Sequence, residues 1–195
     1  MPELIDLARA QFPQADVQEK AKAADIYAFI IDRLRAYLRD QSVAGKAFTS
    51  AEIDAVLSQD PSQINDLIER LTALREFNAL AEAAQLAAAN KRISNILKKT
   101  TTTIPGTCSA KLLQIPAEAS LHQALEAVTP ALNAAYEKRQ FVELLRALVA
   151  LSGPIDQFFA DVMVMDPNPE LRDNRLALLQ QLHQKMNLVA DLGKL

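Results

Sequence analysis

The stretch Phe77-Asn78-Ala79-Leu80-Ala81-Glu82-Ala83-Ala84-Gln85-Leu86-Ala87-Ala88-Ala89-Asn90-Lys91-Arg92-Ile93-Ser94-Asn95-Ile96-Leu97-Lys98-Lys99 contains neither proline nor glycine and is rich in alanine. Alanine has the highest helix propensity, so a long, closely packed helix is predicted over 77–99. Leu80, Ala84, Ala87, Ile93, Ile96 and Leu97 mark its buried stripe. It stops at Thr100–Thr103, a β-branched run followed by Ile104-Pro105-Gly106, which reads as a linker near 100–117 between two helical halves of one domain, 1–195.

Working back from this helix, Thr49-Ser50-Ala51-Glu52 carries a capping-box pattern before Ile53, Val56 and Leu57. Asp60-Pro61 is an N-cap and first-turn pair before Ile64, Leu67, Ile68, Leu71 and Leu74. Earlier still, Lys22–Gln41 places Ile26, Phe29, Ile30, Leu34, Tyr37 and Leu38 at helical spacing, and Ser42–Lys46 reads as a turn. A short apolar start, Leu4, Ile5 and Leu7, precedes them. Working forward, Ser120 is expected to cap a helix through Leu121, Leu125, Val128, Leu132 and Tyr136, with Pro130 kinking or breaking it. Phe141–Leu151 continues as helix, Gly153-Pro154 interrupts, and Ile155–Met165 resumes. Asp166-Pro167-Asn168-Pro169 makes a stiff turn into a last helix reaching about Leu192. The fold class is all-α, a bundle of about seven to eight helices, and half the residues are hydrophobic, enough for a sizeable core.

Composition removes several function classes. His122 and His183 stand apart, with no partner at metal-ligand spacing. No glycine-rich phosphate loop occurs, and Leu151-Ser152-Gly153 lacks the flanking glycine of a nucleophile elbow. Asp156, Asp161, Asp166 and Asp173 form no repeated acidic metal motif. No catalytic residue, metal or cofactor is expected in this chain. The single cysteine, Cys108, fits a reducing compartment and a packing role. No apolar run approaches the roughly 18 residues of a membrane span, and Met1–Asp16 lacks a secretory pattern. The expectation is a cytoplasmic protein.

Net charge is −3, which opposes indiscriminate binding to nucleic acid. Any RNA contact must therefore be local. Lys91, Arg92, Lys98 and Lys99 fall in nine residues without an acid, and Lys91, Asn95, Lys98 and Lys99 recur at three- and four-residue steps on one side of the helix. They suit phosphates and base edges; the competing reading is a solvated helix end stabilised by its dipole. Residues 1–90 carry fourteen acids against nine bases, which favours a second class of function, a helical adaptor that binds protein.

Two stretches carry a resemblance: Asn90–Leu97, and Pro154-Ile155-Asp156-Gln157-Phe158-Phe159-Ala160-Asp161-Val162-Met163-Val164-Met165 with Leu171-Arg172-Asp173-Asn174-Arg175-Leu176-Ala177-Leu178-Leu179. Together they resemble the C-terminal, DALR-like anticodon-binding region of the bacterial glycyl-tRNA synthetase beta subunit. Phe29–Leu38 is similar to the opening of the same region, so nearly the whole chain is covered in order. The Leu-Arg-x-x-Arg-Leu core also resembles arginyl- and cysteinyl-type synthetases, whereas Phe158-Phe159 and Val162-Met163-Val164 point to glycine.

The resemblance implies a bundle that grips the anticodon arm of glycine tRNA. It also implies an alpha subunit that uses ATP and magnesium for aminoacylation, in an assembly of two alpha and two beta subunits. Full beta subunits are several times longer, so a fragment or a standalone relative is expected, with Met1 an added start. Arg172, Asn174 and Arg175 open the final helix and are candidates for base edges; the alternative for Arg172 is an ion pair with Asp161, Asp166 or Glu170 that locks the hairpin. Arg33 and Arg35 divide likewise between RNA and the local acids Asp25, Asp32 and Asp40. Gly193 departs from the resemblance, which has a serine there more usually.

Overall fold

The computed structural model describes residues 23–43, 45–59 and 64–195, with Leu7 and Ala10 besides. It is an all-α bundle with one two-stranded hairpin among the described residues. The order is α1 (Ala23–Arg39), β1 (Ser42–Val43), β2 (Lys46–Ala47), α2 (Ser50–Leu57), α3 (Leu67–Asn78), α4 (Ala83–Lys99), α5 (Pro116–Glu137), α6 (Phe141–Ala147), α7 (Ser152–Asp161) and α8 (Pro169–Met186). Short 3₁₀ turns lie at Ile64–Asp66, Ala110–Leu112, Leu148–Leu151 and Leu192–Lys194. The expected starts at Leu4, Ile5 and Asp60-Pro61 lie outside the described residues, and Leu7 is exposed.

Local sequence explains several elements directly. Thr49 caps α2: its hydroxyl accepts the Glu52 N–H at 3.2 Å while the Glu52 carboxylate accepts the Thr49 N–H at 2.7 Å. Gly45, at φ +73°, turns the chain within what reads as a simple turn and is in fact a hairpin. Arg75 ties that hairpin to the bundle, donating to the Lys46 and Ala47 carbonyls at 2.8 Å each and to Glu52, with its guanidinium 4.4 Å from the Phe48 ring centroid. Burial alone would push the Glu52 carboxyl up; the bonds from Arg75 and Thr49 more than offset it and hold it below the usual carboxylate value.

The elements depart from the sequence pattern at several points. The helix expected over 77–99 is two helices, with a turn at residues 79–82 closed by Leu80 N–H to the Phe77 carbonyl at 2.9 Å. The reversal lets Leu74 and Phe77 on one helix and Leu86 on the next enter the same core. Pro130 does not break α5; it sits on the exposed face, where water can take the carbonyl left without its N–H. Nor does Ser120 cap that helix: α5 begins at Pro116, and the Glu118 carboxylate accepts the Gln114 and Ile115 N–H groups at 2.7 and 2.9 Å. Gly153-Pro154 lies in the first turn of α7, where a missing N–H costs little; that helix ends at Asp161 rather than Met165. Finally α8 ends at Met186 because the Asn187 amide turns back onto the His183 carbonyl at 2.7 Å.

The core runs through both halves of the chain, from Leu38 and Phe48 to Val189 and Leu192. Only the far end of α1 joins it at depth. Phe29 and Tyr37, expected inside, are 59% and 58% exposed, because α1 packs on α2 along one narrow line. At the other terminus, Arg70 donates to the Leu188 and Val189 carbonyls at 2.9 and 3.2 Å, holding the chain end against α3.

Candidate nucleic-acid interface

Helix α4 buries Ala83, Leu86, Ala87, Ala89, Asn90 and Ile93. The helical period then leaves Lys91, Arg92, Asn95, Lys98 and Lys99 on the outside, and all five are exposed. Rotation of the helix about its axis is set by a buried amide pair: Asn90 donates to Asn187 Oδ1 at 2.9 Å and Asn187 donates back at 3.0 Å. Gly193 packs so closely on the Lys91 backbone that a Cβ there would stand 3.3 Å from the Lys91 N and Cα. A serine would therefore require its neighbours to give slightly.

Lys91, Arg92, Lys98 and Lys99 make no ion pair among the described residues. Arg92 is instead held over the Phe159 ring, 4.1 Å from its centroid. A shallow groove follows Ala88, Arg92, Asn95 and Lys99. Its setting was legible in the sequence beyond the nine-residue window, since no acid occurs from Ala83 to Ala117 while Lys111 adds a further cation. Phe159 was not, because it lies on α7 and meets Arg92 only through packing.

The other candidates separate. Asn174 and Arg175 are buried, 4% and 3% exposed, and correct the expectation that they reach base edges. The Asn174 amide clamps the inter-helix segment, accepting the Ser109 N–H at 2.6 Å and donating to the Ser109 carbonyl at 3.1 Å. Arg175 donates to Glu118, to Asp166 at 2.6 Å and to the Met163 carbonyl at 3.0 Å. Locking the last hairpin thus falls to Arg175; Arg172 pairs with its neighbour Asp173 at 3.2 Å and with none of the three acids expected. The bond from the Asn168 amide, then Arg175, holds the Asp166 carboxyl below the usual carboxylate value. Arg35 is occupied by Asp32 and Asp54 at 2.7 and 2.9 Å, and Arg33 lies over Phe29 of its own helix, 5.1 Å from the ring centroid.

The chain from residue 86 to residue 192 matches the family model described as DALR anticodon binding domain, a span that contains the whole basic stripe and the α7–α8 hairpin. The chain belongs to the DALR anticodon-binding domain family. The domain is also 46% identical over 192 residues to the glycine–tRNA ligase beta subunit of Dechloromonas aromatica, covering 98% of this chain and 26% of the relative. It is 45% identical over 193 residues to the beta subunit of Ralstonia nicotianae, covering 99% and 27%, and 47% identical over 170 residues to that of Leptothrix cholodnii, covering 87% and 23%. The chain spans about a quarter of the length of the curated relatives it matches. Among the described residues no helix is long and apolar enough to cross a membrane, and no group of three His, Cys, Asp or Glu side chains is placed to hold a metal ion.

Burial shifts two further titratable groups of the DALR domain. Burial lowers the His183 imidazole below its ordinary value; Asp191 opposes this and Lys98 adds to it. Because the folded value is the lower one, the unfolded chain takes up the proton first as pH falls. Stability should therefore be complete above about pH 7 and decline through the lowered folded value, and His183→Gln should flatten that part of a pH series of urea melts. Cys108, half-buried, has its thiol pushed up to about 11 by burial, with Asn174 opposing and Glu118 and Glu126 adding. Alkylation by iodoacetamide at pH 8 should run on the order of a hundredfold slower than that of a free cysteine and reach its full rate only on unfolding.

Proposed function

We propose that this DALR domain binds the anticodon arm of glycine tRNA for the beta subunit of a glycine–tRNA ligase. The alpha subunit, in an assembly of two alpha and two beta subunits, carries out ligation with ATP and magnesium. The observation that carries the reading is the coincidence of the family match with an exposed basic stripe on α4 that makes no ion pair among the described residues. An anticodon loop offers closely spaced phosphates and unstacked bases, so its partner needs cations along a helix and amides or planar groups beside them. Lys91, Lys98 and Lys99 supply the first, Asn95 and the Arg92–Phe159 pair the second. The domain itself contributes binding and no chemistry.

Fluorescence anisotropy of the 195-residue chain with glycine tRNA, and with the same tRNA carrying another anticodon, tests this at two salt concentrations. Preference for the glycine anticodon at both is the expected result. Equal, strongly salt-dependent affinity would reduce the role to phosphate contact, and preference for an arginine anticodon would move the domain to an arginyl-type enzyme.

A further inference from the structure

The turn between α7 and α8 presents sulfur to solvent. Val162-Met163-Val164-Met165 follows the end of α7, and Val162 begins it in extended backbone at φ −109° and ψ 121°. Burial alternates along the four residues. Val162 and Val164 enter the core, whereas Met163 and Met165 are 60% and 56% exposed. Extended backbone sends successive side chains to opposite faces, so valines that pack inward turn the methionines outward.

The exposed side chains are not what holds the turn. Arg175 donates to the Met163 carbonyl at 3.0 Å and to Asp166 at 2.6 Å, and Asp166 accepts the Asn168 N–H at 2.8 Å. These bonds use main chain and the Asp166 carboxylate, and the two valines supply the apolar packing. Both thioethers therefore give up most of the stabilisation that burial brings to a methionine, which Met186, fully buried in the last turn of α8, collects. The fold does not need sulfur at residues 163 and 165, and it leaves that sulfur open to reagents in water.

We infer that Met163 and Met165 form a reversible oxidation site, which turns this surface from apolar to polar while the bundle stays folded. The oxidant is a peroxide. A sulfur lone pair attacks one peroxide oxygen; the S–O bond forms as the O–O bond breaks, and sulfur gives up two electrons. The departing hydroxide takes the proton of the transferred oxygen and leaves as water. A thiol-dependent sulfoxide reductase reverses the step, two thiols becoming a disulfide as the oxygen departs in water. Arg175, Asp166 and the valines keep their contacts in both states, because none of those contacts uses a methionine side chain. The site stands independently of the anticodon reading.

The test treats the 195-residue chain with hydrogen peroxide and digests samples with trypsin over time. Cleavage after Arg146 and Arg172 places Met163 and Met165 in one peptide, and cleavage after Lys185 and Lys194 places Met186 in another. The first peptide should gain one oxygen and then a second. Met186 should react at least about tenfold more slowly, since it is reached only when the core opens. With both oxygens added, circular dichroism and the urea midpoint should be unchanged and retention on a hydrophobic-interaction column should fall. Methionine sulfoxide reductases, one for each epimer, should restore that retention. Met163→Leu with Met165→Leu should keep its retention through the same treatment. Equal rates for the two peptides, or a urea midpoint that falls as the second oxygen enters, would overturn the site. Retention that falls as far in the double variant as in wild type would overturn the change of surface.

Discussion

Replacing Arg175 by methionine lowers the free energy of unfolding by about 3–5 kcal/mol, the range for removing one partner of a buried ion pair. The size follows from what is left behind. Glu118 is 1% exposed and would keep a carboxylate facing the emptied site, while the Met163 carbonyl and Asp166 would lose their donor. Glu118 could not turn away, because the same side chain takes the Gln114 and Ile115 N–H groups at the start of α5. Removing both charges, as Arg175→Met with Glu118→Leu, should recover part of the loss, since an apolar pair no longer buries an unmatched ion. Recovery stays incomplete because the two N–H groups remain without their acceptor. Urea denaturation followed by circular dichroism measures all three proteins; a single-variant loss below 1 kcal/mol would show that Arg175 does not hold the α5, α7 and α8 junction together.

Reversing charge at Lys91→Glu with Arg92→Glu should weaken binding of glycine tRNA on the order of a hundredfold, taking about 1.5 kcal/mol for each lost charge-assisted contact. Both side chains are exposed and neither makes an ion pair among the described residues, so stability should hardly change. Arg92 would leave the Phe159 ring, which is partly buried and keeps its edge contact with Phe158 at 5.6 Å between centroids. The salt dependence is the sharper measure. Loss of the Lys91 phosphate contact should make the slope of log affinity against log salt shallower by about 0.7 for a single-stranded loop. An unchanged slope with unchanged affinity would take α4 out of the interface.

Much of this molecule is written locally. Thr49 and Glu52 announce a helix start, Asn168 caps α8 by accepting the Glu170 N–H at 3.0 Å, and the 3.6-residue period of α4 turns its cations outward once Leu86 and Ile93 turn in. Those features need only neighbours in the chain, and the all-α fold and exposed basic stripe follow from them. The exposure of Met163 and Met165 was not legible in the same way, because it depends on the core that takes in Val162 and Val164.

The same division decides the arginines. Leu171-Arg172-Asp173-Asn174-Arg175-Leu176 reads as a helix start with three polar side chains free to reach a ligand. Helical geometry sets Arg172 and Arg175 almost one turn apart, but which of them faces the interior depends on Glu118, fifty-seven residues away from Arg175 in sequence. Likewise Phe29 and Tyr37 carry the right period for a core yet remain exposed, since among the described residues α1 packs chiefly on α2. The sequence by itself determined the all-α class, the Thr49–Glu52 cap and the period that puts the cations of α4 on one side, because these are set by contacts within one or two turns. Only the tertiary structure decided the break at residues 79–82, the burial of Asn174 and Arg175 and the exposure of Met163 and Met165, because burial of a side chain is a property of whatever distant segment comes to lie over it.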